Sequence, residues 1–83
     1  MTKSEYRSIW RLIDRATDLR SRQKMREKHE AILMSAAASV LRPEDMRTLS
    51  TSLRQIVSAS NDYDACKARL RLDSILRGKT EWI

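Results

Sequence analysis

Four stretches of helical periodicity run through the chain. Between residues 6 and 16 the apolar positions are Tyr6, Ile9, Trp10, Ile13 and Ala16, which share one face at 3.6-residue spacing. Thr2 and Glu5 stand ahead of them with the spacing of a capping box. Leu12 and Leu19 lie off this face and either widen it or meet a second subunit. From Arg20 to Glu30 the chain is almost wholly polar, with Met25 its one clear hydrophobe. The second stretch places Met25, Ile32, Leu33, Ala36, Ala37 and Val40 inward. On one continuous helix turning about 100° per residue, the first and second apolar faces would point to nearly opposite sides. A bend or short connection is therefore expected between Thr17 and Lys24.

The run Ala31 to Leu41, AILMSAAASVL, reads as a buried helix whose small side chains admit a close neighbour. Pro43 disfavours helical geometry at Arg42 and suits the first turn of a new helix. Glu44 and Asp45 follow it, at the end where the helix dipole favours acids. The third helix, Pro43 to about Ala59, has the cleanest pattern, with Met46, Leu49, Leu53, Ile56 and Val57 on one stripe. Ser60 or Asn61 is a fitting cap for a fourth helix, whose Ala65, Ala68, Leu72, Ile75 and Leu76 are turned well away from that stripe. Tyr63, Cys66 and Leu70 give the fourth helix another apolar side, which marks it as central or as a site of self-association. Gly78 is suited to a left-handed stop, and Trp82 in the tail Lys79–Ile83 is expected to pack back on the bundle. The pattern predicts one all-α domain over residues 1–83, a small bundle of about four helices or a long bent hairpin, with a homodimer open to it.

Composition agrees: one Gly, one Pro and no Phe leave little material for strands or tight turns. The single cysteine excludes an internal disulfide, the first residues are charged, and no apolar run is long enough to span a bilayer. A cytoplasmic protein without a membrane partner is expected. Charge changes the picture more. Seventeen Lys and Arg against eleven Asp and Glu leave a net charge of +6 on 83 residues. Most of those cations are arginine, which makes planar paired contacts with phosphate and carboxylate. The balance suits an anionic partner.

Chemistry is harder to build. A structural zinc needs four ligands, and His29 and Cys66 are the only soft ones. No metal or other cofactor is expected. A Cys66/His29 nucleophilic pair is weighed far below the ordinary roles of a packed cysteine and a surface histidine. A lone Gly78 makes no phosphate loop, and Glu27/Glu30 and Glu44/Asp45 suit salt bridges and helix ends better than acid–base work. The sharpest functional signal is basic. Arg7, Arg11 and Arg15 step by four along the first helix, and Arg20, Lys24 and Lys28 form a second row, with Arg22 and Arg26 beside it. Asp14, Asp18, Glu27 and Glu30 lie within pairing distance, so these rows are either solvated faces or contact surfaces. A helix-turn-helix with Arg47, Thr48, Thr51 and Arg54 on its second helix is a weaker pattern. The sequence thus points to a non-catalytic binding protein, a regulator or inhibitor docking on a protein of a nucleic-acid-handling system through Arg-rich faces. Direct, weakly specific DNA or RNA binding by the same rows is the alternative.

Overall fold

A computed structural model describes residues 1–82, so Ile83 of the expected tail lies outside the described residues. Four helices account for most of them: α1 (Lys3–Ala16), α2 (Gln23–Ala38), α3 (Pro43–Ser58) and α4 (Asp62–Gly78). No strand occurs among the described residues.

Each helix begins where the sequence supplies a starting signal, α2 excepted. At α1 the Glu5 backbone N–H donates to the Thr2 hydroxyl at 3.1 Å, while the Glu5 carboxylate accepts from the Thr2 N–H at 2.8 Å. That backbone hydrogen bond from Thr2 is the main reason the Glu5 carboxyl is held below its ordinary range. The expected break falls at residues 17–22. Thr17 closes α1 by donating its hydroxyl to the Ile13 carbonyl at 2.7 Å. Asp18 then accepts from both the backbone and the side chain of Arg20, so a short polar turn is made without Gly or Pro. Pro43 stands in the first turn of α3 after an extended Arg42, and the Asn61 side chain caps α4 by accepting from the Asp64 N–H at 2.8 Å.

The core is a single cluster: Ile9, Ile13 and Ala16 from α1, Leu33 and Ala37 from α2, Leu49, Leu53 and Ile56 from α3, and Ala68, Leu72 and Leu76 from α4. Tyr6, Trp10, Leu12, Met34, Val40 and Met46 pack against it, partly covered.

Three expectations fail. The second helix is not a buried one: Met25, Ile32 and Ala36 are exposed, and the helix stops at Ala38 rather than running to Leu41. It packs broadly on α1 but only sparingly on α3, so one line through Leu33 and Ala37 is covered and the rest of its apolar surface is not. Val57 also lies at the exposed margin of the α3 stripe. Nor does Gly78 make a left-handed stop, because no glycine has positive φ. The Lys79 and Thr80 N–H groups bond the Leu76 and Arg77 carbonyls, and the Thr80 hydroxyl donates to the Leu76 carbonyl at 2.7 Å. The last turn is thereby satisfied with ordinary backbone.

The C-terminal segment does fold back. The Trp82 indole N–H donates to the Arg77 carbonyl at 3.1 Å, and its ring meets Tyr6 edge-on at 5.2 Å. The Glu81 N–H donates to the Met1 carbonyl at 2.9 Å, which fixes the start of α1 beside the end of α4.

Candidate functional site

The α1 and α4 helices run antiparallel and are tied at two levels by polar side chains. Near one end the Tyr6 hydroxyl donates to the Asp73 carboxylate, and Arg77 donates to the other oxygen of that carboxylate at 2.8 Å. Towards the other end Arg69 pairs with Asp14. Between these ties the helices stand apart and leave a groove of about 590 Å³, lined by Tyr6, Arg7, Trp10, Arg11, Asp14, Cys66, Arg69, Leu70 and Asp73.

The groove is apolar in the middle and charged at the rim. Trp10 presents a ring to it, with the Arg69 guanidinium 5.1 Å above the ring centre. The Trp10 indole N–H is enclosed and turned towards the Asp73 carboxylate, which it helps to hold below its ordinary range without completing a well-formed hydrogen bond. Leu70 lines the groove with Trp10 and remains 63% exposed. Burial pushes the Tyr6 phenol above its ordinary value, and its bond to Asp73 adds to the shift. Burial also pushes the Asp73 carboxyl up, but the hydrogen bonds from Tyr6 and Arg77 outweigh it and leave the group below its ordinary range. The end wall is thus an ionised carboxylate already satisfied by its own neighbours.

Of the first basic row, Arg7 and Arg11 form the groove's rim, and Arg15 continues the line beyond it. All three are exposed, and none is ion-paired among the described residues. The carboxylates expected to neutralise them are committed elsewhere, Asp14 to Arg69 and Asp18 to Arg20.

The second row does not form as a row. Arg20 lies in the connection before α2 and bonds Asp18 at 3.0 Å, while Arg26 is half-buried and donates to the Ser21 carbonyl at 2.8 Å. Arg22 stands just ahead of α2 and makes no side-chain capping bond, which leaves Lys24 and Lys28 as the helix's exposed cations. The cause is the position of the break: helical spacing has no meaning for a residue outside the helix.

Cys66 and Leu70 line the same groove, whereas Tyr63 stands 71% exposed outside it with the Lys67 ammonium 5.6 Å from its ring centre. Sequence reasoning divides these residues between two functions, a basic row and a self-association side. The fold brings members of both into one site. Arg69 and the role of Trp10 as a groove wall escape such reasoning, because nothing local in the sequence says that α1 and α4 are neighbours. His29 is not among the residues that line the groove around Cys66. Among the described residues no cluster of His, Cys, Asp or Glu is placed to hold a metal, and no helix is long and apolar enough to cross a membrane. Compared with known proteins, the chain matches no family model, no curated protein and no solved structure.

Proposed function

We propose that this chain is a non-catalytic binding protein that regulates or inhibits a nucleic-acid-handling system by docking on one of its proteins. The observation that carries the reading is the groove between α1 and α4, where unpaired Arg7 and Arg11 border exposed Leu70 and the Trp10 ring. Tryptophan and arginine are the residues in which binding energy concentrates at protein interfaces. Apolar surface rimmed by polar groups is a usual mark of such an interface. An acidic protein segment with an apolar anchor suits the groove: carboxylates to the two guanidiniums and a side chain between Trp10 and Leu70. The high arginine content and net charge of +6 support a setting in which phosphate is close at hand.

The test is co-purification from a cell lysate, with and without nuclease, using the natural chain and a chain carrying Arg7→Glu, Arg11→Glu and Arg15→Glu. A protein retained after nuclease by the first and lost by the second supports the reading. Retention that disappears with nuclease alone would replace it with direct nucleic-acid binding by this row.

A further inference from the structure

A second surface, on the other flank of α4, is built differently. Two shallow depressions of about 380 and 270 Å³ lie between α3 and α4 and share Gln55 and Arg71, so they join into one furrow along the helix pair. Its cations are Arg47 from α3 and Lys67 and Arg71 from α4, and none of them is ion-paired among the described residues. Asp64 is the one acidic residue in the lining, and it is engaged by Asn61 in the cap of α4. Arg47, Thr51 and Gln55 follow each other every fourth residue, which spaces three polar side chains about 6 Å apart along one edge. On the antiparallel α4, Lys67 and Arg71 repeat that interval on the opposite edge.

We infer that this furrow binds the phosphate backbone of a nucleic-acid duplex, without reading its sequence, through Arg47, Lys67 and Arg71 assisted by Thr51 and Gln55. Arginine, lysine, hydroxyl and amide side chains are the groups that make phosphate contacts and fix a protein on a duplex. A protein interface would need an apolar anchor at its centre. The furrow offers only Ile75, half-buried, and the small Ala59 and Ala68. A single-strand channel would need several aromatic rings on which successive bases stack; none lines the furrow, and Tyr63 beside it offers one ring, held against the Lys67 ammonium at 5.6 Å. The inference does not depend on protein docking at α1, because it uses other residues and another helix pair.

Fluorescence anisotropy of a short labelled DNA duplex, titrated with the full chain over a series of salt concentrations, tests it. Three neutralised phosphates give a slope of log affinity against log salt of about −2.7, at roughly −0.9 for each. A fourfold rise in salt then weakens binding about 40-fold. Arg47→Gln with Arg71→Gln should reduce the slope to about −0.9 and the loss to about 3.5-fold. Arg71→Lys alone should keep the slope, and Arg7→Gln with Arg11→Gln should leave it unchanged. An equal effect of the Arg7/Arg11 and Arg47/Arg71 pairs would overturn the assignment, since attraction would then follow overall charge. Unlabelled single-stranded DNA competing better than duplex would overturn the choice of a duplex. Poly-glutamate competing better than either would assign the furrow to an acidic protein face instead.

Discussion

Replacing Tyr6 with phenylalanine removes one hydroxyl and leaves the ring, so it isolates the bond that closes one end of the groove. The ring's other contacts, Trp82 edge-on at 5.2 Å and the Arg77 guanidinium at 5.7 Å, survive the change. A hydrogen bond to a charged group contributes about 1.5–3 kcal/mol, and the Asp73 side chain is 26% exposed, so water takes over part of the lost role. The expected cost near neutral pH is therefore about 1–2 kcal/mol. At about 4–8 °C per kcal/mol for a domain of this size, Tm falls by roughly 5–15 °C.

The pH dependence has a definite sign. Asp73 titrates lower in the folded chain than its ordinary 3.8, so its stabilisation is present above that value and is lost as pH falls through the folded one. Tyr6 is raised above 10.0, first by burial and then by Asp73, so its share is present below that value and is lost as pH rises through the folded one. Thermal melts followed by circular dichroism should show the widest gap between the natural chain and the Tyr6→Phe variant at intermediate pH, narrowing at both extremes. Against Asp73→Asn the cost of losing the hydroxyl should shrink. A gap of the same size well below pH 3.8, or an undiminished cost in the Asp73→Asn background, would refute the reasoning.

Leu53 is 4% exposed in the core, and Leu53→Ala should cost about 2–5 kcal/mol in thermal or denaturant unfolding through the cavity it leaves. Ala36 faces solvent, so Ala36→Leu should change stability by less than about 0.5 kcal/mol; a large loss would show that the outer side of α2 is covered after all. Arg7→Glu, Arg11→Glu and Arg15→Glu together should leave the helical dichroism intact, at less than about 0.5 kcal/mol each, while the retained protein partner is lost. Self-association through Tyr63, Cys66 and Leu70 should appear in sedimentation at high micromolar concentration and weaken with Leu70→Glu, whereas a monomer throughout would remove that role from the α4 side.

Much of the fold is legible because its signals are local. Thr2 and Glu5, Pro43 and Asn61 each act within one helical turn, and the structure places a helix start at every one of them. The break after Thr17 is readable from phase alone. The second helix is misread because periodicity reports which residues share a face, not how many neighbours cover it. Ile32 and Leu33 are adjacent, yet one is 45% exposed and the other fully buried, since α3 barely reaches α2. Gly78 misleads for a related reason. Thr80, two residues on, supplies the hydroxyl that makes a left-handed cap unnecessary.

The residues that line the candidate groove stand out singly in the sequence, but their grouping does not. Arg7 and Arg11 stand out at a spacing of four, but whether they remain free depends on Asp14, which turns to Arg69 on a helix more than fifty residues later. The double apolar character of α4 suggests a central helix or an interface, and the fold accounts for the two sides separately. Ala68, Leu72 and Leu76 face the core. Cys66 and Leu70 face the groove with α1, while Lys67 and Arg71, each one residue later and so turned by about 100°, face the furrow with α3. One helix therefore separates an apolar, arginine-rimmed groove from a polar, cationic furrow. A protein held on one flank and a phosphate backbone on the other would share this single rigid element, so substitutions on α1 should silence the first contact and leave the salt dependence of the second in place.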